Sequence, residues 1–258
     1  MLLSFDIGNT SIHLGLFDGE KVVATWRLGV ETEKFPDEYG VLFTNLLLLK
    51  GYRVEDVDAV IISCDVPPLT PTVTQVARDY FNVEPLLVGH GLRTGVRILY
   101  ENPRGLGSDR IVDAVAAIHL YGPPIIVVDF GTGTVFDAIN EDGDYLGGAI
   151  APGIGVASEA LFRRGAMLSR VALETPTQAI GRNTVNALQS GILYGFAGLV
   201  DGIVNRFKEE LASDKVQVVA TGGWAEQIAP LTTTVDIVNQ DLTLTGLRLI
   251  YELNCDKR

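Results

Sequence analysis

Leu2-Leu3-Ser4-Phe5-Asp6-Ile7-Gly8-Asn9-Thr10 and, further along the chain, Ile125-Ile126-Val127-Val128-Asp129-Phe130-Gly131-Thr132-Gly133-Thr134 are two versions of one pattern. Each is an apolar run that reads as a buried strand, then a carboxylate, then a tight glycine turn followed by hydroxyls. An aspartate at a strand end, a glycine where the main chain must come close to a ligand, and threonine donors beyond it suit a polyphosphate with its cation. The likeness continues past the turns: Ser11 to Phe17 leads to Asp18-Gly19, and Val135 to Asn140 leads to Asp142-Gly143, with one extra residue in the second copy. Asp-Gly between extended runs signals a hairpin. The duplication predicts two similar halves, each opening with a hairpin that carries a phosphate loop on its inner turn, and a nucleotide in the cleft between them.

Periodicity fills in the rest of each half. The first shows strands near 2–7, 12–17, 21–28, 57–63 and 85–88 with helices near 37–50 and 69–81. The second shows strands near 124–129, 134–140 and 144–150, helices near 153–164 and 183–212, a strand at 216–220, a helix after Gly223, a strand at 235–238 and a closing helix at 242–254. Hairpin-linked strands followed by alternating helices and strands, twice over, predict an α/β protein with a mixed sheet and helical cover in each half. The expected domains are 1–118 and 119–258, with the helix after Gly107 bridging them.

Composition sets limits on function. The 258 residues are 47% hydrophobic, ample for two cores, and the formal net charge of -12 comes without any basic run, which argues against unspecific nucleic-acid binding. A nucleotide remains compatible, because glycine amides and a cation can hold its phosphates. Cys64 and Cys255 have no metal-ligand or redox spacing. No signal peptide is visible ahead of the first strand, and no segment reaches membrane-spanning length without charge or glycine, so a soluble cytoplasmic protein without membrane partners is expected. The histidines His13, His90 and His119 show no metal spacing; His13, beside the first loop, is the one within reach of a nucleotide.

Several other residues carry two readings each on local sequence alone. Asp109, after Gly107-Ser108, could accept a proton from an attacking hydroxyl, or could stabilise the start of a helix through its dipole. Arg110 offers planar donors to a polar acceptor or forms a surface ion pair, and Tyr100 supplies an amphipathic wall or is an edge-strand tyrosine. Thr184, after Asn183, reads by itself as part of a helix cap. Thr221-Gly222-Gly223 is a strand-to-helix turn that needs no ligand to explain it, and a lone Asp-Ile-Gly-Asn would be an ordinary Asx turn. The duplicated loop reverses that last preference.

Taken in order and spacing, Asp6 to Thr10, Tyr100-Glu101-Asn102-Pro103, Gly107 to Arg110, Asp129 to Thr134, Gly147 to Gly153 and Thr221 to Gly223 resemble the type III pantothenate kinases, of the acetate kinase, sugar kinase, Hsp70 and actin superfamily. The resemblance covers nearly the whole chain. It implies duplicated ribonuclease H-like (actin-like ATPase) domains with ATP in the interdomain cleft. It implies phosphorylation of pantothenate, the first step towards coenzyme A, by a homodimer. Asp6 would orient the magnesium ion accompanying ATP, while Ile7, Gly8, Asn9, Thr10, Ser11, Ile12, His13, Gly131, Thr132, Gly222 and Gly223 would line the nucleotide. Asp129 would bind a monovalent cation, potassium or ammonium. Asp109 would be the catalytic base, with Tyr100, Gly107, Ser108, Arg110 and, from across the dimer, Thr184 at pantothenate. Two stretches depart from the family pattern: Gly133, often alanine, and Asp65-Val66-Pro67-Pro68, usually more apolar. The alternative implied by the same family is a catalytically inactive relative that assists transcription. The complete set Asp6, Asp109, Arg110, Asp129 and Thr132 favours the enzyme.

Overall fold

A computed structural model of the chain describes residues 1–89, 91–165, 170–213 and 215–255. His90 therefore lies outside the described residues. The first sheet is built from β1 (Leu2–Ile7), β2 (Ser11–Asp18), β3 (Lys21–Gly29), β4 (Ala59–Cys64) and β5 (Leu86–Leu87), in the order β3-β2-β1-β4-β5. The second is built from β6 (Ile125–Phe130), β7 (Gly133–Ile139), β8 (Tyr145–Pro152), β9 (Gln217–Thr221) and β10 (Ile237–Val238), in the order β10-β9-β6-β7-β8. The two orders are the same topology, so the duplication read from the loops extends through the sheets. In both, the strand that carries the aspartate is central. It pairs antiparallel with its hairpin partner and parallel with the strand that returns after a crossover.

Register shows how close the copies are. Asp6 stands opposite His13 on one side and Ser63 on the other; Asp129 stands opposite Val135 and Thr221. The β2–β3 ladder slips between Leu16 and Phe17, and the β7–β8 ladder slips at the corresponding place, between Ala138 and Ile139. In the outer turn the second copy reaches its Asp-Gly two residues later, with Asp142 three residues past Ile139 where Asp18 directly follows Phe17. Its inner turn is one residue shorter than the first, because Asp6 pairs seven residues ahead and Asp129 only six, which leaves the net offset of one residue.

Both central strands are buried on their two faces, as their apolar runs require. Around the first sheet lie α1 (Pro36–Leu49), α2 (Leu69–Phe81) and α7 (Leu242–Cys255). Proline at the start of α1, with Glu38 accepting from the Phe35 N–H at 2.9 Å, fixes where that helix begins. Asn82 in the left-handed conformation ends α2. Phe5, Ile7, Ile12, Leu14 and Leu16 meet Tyr39, Phe43, Leu47, Val73 and Val76 in one core. In the second half α4 (Ile154–Arg164) and α5 (Thr184–Leu211) supply Ile154, Ile192, Leu193, Val200 and Val204 against Ile126, Val128, Phe130 and Val218. A single short turn of helix, α6 (Ala225–Ile228), follows β9.

By contacts the chain forms two units, and they are discontinuous in sequence. One contains Met1–Gly95, Asn102–Ala116 and the chain from Leu242 onward; the other contains Val96–Glu101 and Ala117–Asp241. One of the passages from one unit to the other falls inside α3 (Ser108–Tyr121), between Ala116 and Ala117. A continuous division leaves out two pieces. The closing helix α7 packs on β1, β2 and β4, with Gly246 set so close to α3 that a Cβ there would collide with the Val112 carbonyl. Residues 96–101 run beside the start of β8, where Leu99 N–H donates to the Tyr145 carbonyl at 2.8 Å and Tyr145 N–H donates to Arg97 at 2.9 Å.

Candidate active site

In the first unit three chain ends converge. At the end of β1, Asp6 is half-buried, Ile7 is buried in the core, and Gly8 turns the chain, its N–H donating to the Ser11 carbonyl at 3.1 Å. Asn9 and Thr10 form the exposed tip. Ile7 and Ile12 point into the core, which leaves only main-chain atoms of these two for a ligand. His13, next to Asp6 across the hairpin, is pushed down to about 4, first by burial and then by the Arg27 guanidinium. It is a neutral imidazole near pH 7, able to donate or accept but not to add charge.

At the end of β4, Asp65 N–H donates to the Ile7 carbonyl at 2.9 Å, so β4 is tied to the base of the first loop. The Cys64 thiol beside it is pushed up, above all by burial, with the Asp65 and Asp6 carboxylates adding to the effect. The third end is the start of α3. Asp109 lies in its first turn, half-buried, with Oδ1 accepting from the Arg110 N–H at 2.7 Å. Gly107 makes room for that carboxylate: a Cβ on Gly107 would lie 2.5 Å from Asp109 Oδ1. Arg110 is buried, 8% exposed, which rules out the surface ion pair that local sequence also allowed. Ser108 is bound on both sides, its hydroxyl 2.8 Å from Ser63 Oγ and 3.0 Å from Asp65 Oδ1. The sequence marks Asp65 only as part of a stretch that departs from the family pattern and assigns it no role.

The second unit repeats the strand-end arrangement with glycine in place of side chains. A Cβ on Gly131 would lie 3.1 Å from Asp129 Oδ2, and one on Gly222 would collide with Asp129 Oδ1 and reach the Phe130 main chain at 2.7 Å. Gly222 also has φ +89°, so glycine is required there twice over. The Asp129 carboxylate thus stands in a cradle that any Cβ would fill. Behind the loop, Gly153 N–H donates to the Thr132 carbonyl at 3.1 Å, and a Cβ on Gly153 would lie 2.6 Å from the Gly131 carbonyl. Thr132 is exposed, whereas Thr134 is buried and donates to the Pro152 carbonyl at 3.3 Å. Gly133 has space for a methyl group, since its nearest neighbour would be Ala151 O at 3.4 Å. Gly223, the next residue after Gly222, is exposed.

Tyr100 also belongs to the second unit. Its ring meets Tyr145 edge-on at 6.4 Å, and Gly147, with φ +133°, leaves space that a Cβ would narrow to 3.3 Å from that ring. Tyr145 is itself fixed by donating to buried Asp137 at 2.6 Å. Thr184 opens α5 and is exposed, while the neighbouring Asn183 caps the helix by accepting from the Asn186 N–H at 2.8 Å. The cap is therefore Asn183, and the Thr184 side chain is not needed for it.

The available donors are oxygens. Among the described residues no group of three or more His, Cys, Asp or Glu side chains could hold a metal ion. Asp6 and Asp129, each at the end of a strand beside glycine, fit a hard cation that takes its other ligands from main-chain carbonyls, water and phosphate. They do not resemble a zinc or iron site.

Residues 2–206 match the family model for type III pantothenate kinase. A type III pantothenate kinase of Geobacter sulfurreducens is 50% identical over 254 residues, covering 98% of this chain and 99% of that protein. Among solved structures, one described as a Baf family transcriptional activator from Campylobacter jejuni aligns over 98% of this chain and 99% of its own, with TM-score 0.63 and 18% identity. The archaeal actin homologue Ta0583 aligns over 96% and 98%, with TM-score 0.53 and 15% identity. At those identities the two structures speak for the fold alone, and the fold is the duplicated actin-like one.

Proposed function

The chain belongs to the type III pantothenate kinase family, and from that premise we propose that it transfers the terminal phosphoryl group of ATP to the primary hydroxyl of pantothenate, opening coenzyme A synthesis. The observation that carries this reading is the setting of Asp109. A full-length family match coincides with a half-buried carboxylate at the first turn of α3, given room by Gly107 and joined through Asp65 to the loop that carries Asp6. In the reaction the pantothenate oxygen bonds to the γ-phosphorus, the bond from that phosphorus to the β-bridging oxygen breaks, and Asp109 takes the hydroxyl proton while ADP leaves. Gly8, Asn9, Thr10, Ser11 and neutral His13 offer donors to phosphate oxygens, as do Gly131 and Thr132 in the second loop. Asp6 suits the hydrated magnesium ion and Asp129 a monovalent cation, and both ions would neutralise charge on the triphosphate. Gly222 and Gly223 offer flat main chain to the adenosine. Tyr100, Ser108 and Arg110 contact pantothenate.

The working form is a homodimer in the cytoplasm, with Thr184 of one copy completing the pantothenate pocket of the other, and with neither nucleic acid nor membrane as partner. Helix α5 supports this reading. It is long and apolar enough to cross a membrane, yet Ile192, Leu193, Val200 and Val204 are committed to the core. On another face Gly191, Gly195, Gly198 and Gly202 are exposed with open space before each Cα, a surface that lets a second helix approach closely. The reading is tested by following ADP release with pantothenate, with other small alcohols and with no acceptor. Release that depends on pantothenate is expected; equal release with and without it would refute the proposal.

A further inference from the structure

Asp65 has no equivalent in the second half of the molecule. Register sets Ser63 opposite Asp6 and Thr221 opposite Asp129, so that Cys64-Asp65 corresponds to Gly222-Gly223. One copy ends its parallel strand in two glycines; the other puts a carboxylate there. That carboxylate is used. Its Oδ1 accepts from the Ser108 N–H at 3.3 Å and from the Ser108 hydroxyl at 3.0 Å. Ser108 Oγ has one hydrogen, which goes to Asp65, so the 2.8 Å contact with Ser63 must be a donation from Ser63 to Ser108. The result is a directed chain, Ser63 to Ser108 to Asp65, that fixes the residue immediately before Asp109. The other oxygen, Oδ2, faces the same bare Cα: a Cβ on Gly107 would lie 3.8 Å from Asp65 Oδ2 and 2.5 Å from Asp109 Oδ1.

We propose that Asp65 is a positioning residue for phosphoryl transfer, which holds the Gly107-Ser108 turn so that the Asp109 carboxylate is aimed at the acceptor hydroxyl. It acts through Ser108 and does not touch substrate. Since its N–H is also bonded to the Ile7 carbonyl, it fixes the first turn of α3 to the strand that carries Asp6. The Ser108 hydroxyl, having given its hydrogen to Asp65, can only accept from pantothenate. The inference rests on Asp109 being the proton acceptor.

The test is steady-state kinetics on the full-length protein with three variants. Asp65→Ala removes both hydrogen bonds, and kcat should fall about tenfold, the scale of a misaimed catalytic group, with the KM values for ATP and pantothenate within about twofold of wild type. Asp65→Asn keeps Oδ1 as the acceptor and should restore kcat to within about threefold. Asp65→Glu keeps the charge but moves it out by one methylene, about 1.5 Å, and should fall about as far as alanine. Should Asp65→Ala fail to fold, the asparagine and glutamate pair decides by itself. Glutamate near wild type with asparagine inactive would mean that charge matters and not aim, and would overturn the inference. So would a folded Asp65→Ala with unchanged kcat, or one that changes only KM. Asp109→Asn, measured alongside, separates the two levels: an active Asp109→Asn removes the proposed base itself, whereas an inactive one with an unaffected Asp65→Ala removes only the role of Asp65.

Discussion

Asp109 and His13 are the two side chains whose surroundings have the clearest consequences. Gly107→Ala would put a methyl group against the end of a flexible carboxylate, not against main chain, so the fold should lose little while Asp109 is pushed aside. The expected result is a melting temperature within a few degrees of wild type and a kcat lower by about tenfold or more; an unchanged kcat would show that Asp109 has freedom to spare. His13 has a pH signature. Its folded value of about 4 lies below the ordinary 6.5, so from 6.5 down to 4 the unfolded chain takes up a proton that the folded chain refuses. Stability is full above pH 6.5 and falls as the pH drops through that window, by about 3 kcal/mol at its lower end. Denaturant melts between pH 4.5 and 7.5 should show His13→Gln losing less stability on acidification than wild type; parallel curves would contradict the burial of a neutral imidazole. The sequence showed Asp6, Asp129 and the glycines because it showed them twice. It marked Asp65 as unusual but could not show its role, which lies in Ser108, more than forty residues away along the chain.

At the scale of elements, the strand-end turns differ in how strictly they need glycine. Gly19, in the first hairpin, has φ +58° and nothing within 4 Å of where a Cβ would go, so Gly19→Ala should cost only about 1–2 kcal/mol of backbone strain. Gly222 has φ +89° and its Cβ would collide with Asp129 and the main chain of Phe130. Gly222→Ala should therefore destabilise by about 3 kcal/mol or more and sharply weaken ATP binding, since it pries β9 away from the second loop. Thermal melts and nucleotide titrations of the two variants make the comparison; equal effects would mean that the cradle around Asp129 is looser than the geometry shows. Most elements were legible because the apolar runs are long and the turns carry Asp-Gly or a helix cap. Residues expected as strand at 85–88 and 235–238 are two-residue edge strands, Leu86–Leu87 and Ile237–Val238. An edge strand is held by one neighbour only, so the hydrophobic pattern outlasts the pairing. Periodicity assigns no element to residues 96–101, and their main-chain bonds to Tyr145 come from a tertiary contact that no local pattern announces.

For the whole molecule, the repeated topology follows from the repeated sequence, but the return of α7 to the first sheet does not. An amphipathic helix at the end of a chain shows that it will pack, not on which sheet. Self-association and cation dependence belong to this scale. Gly195→Leu fills the open face of α5 without touching its core side, so it should leave the melting profile of the unit intact while shifting sedimentation from dimer towards monomer; a dimer that survives would move the interface elsewhere. Activity should require potassium or ammonium, with sodium a poor substitute, and Asp129→Ala should abolish that selectivity; equal rates in potassium and sodium at matched ionic strength would argue against a selective site. The most direct measurement is the product formed from ATP and pantothenate by wild type and by Asp109→Asn, resolved by mass spectrometry, with ATP binding checked in both. Wild type should yield phosphopantothenate, and Asp109→Asn should bind ATP normally while forming product about 100-fold or more slowly. Phosphopantothenate formed at near wild-type rate by Asp109→Asn, or none formed by wild type, would contradict the assignment of this site.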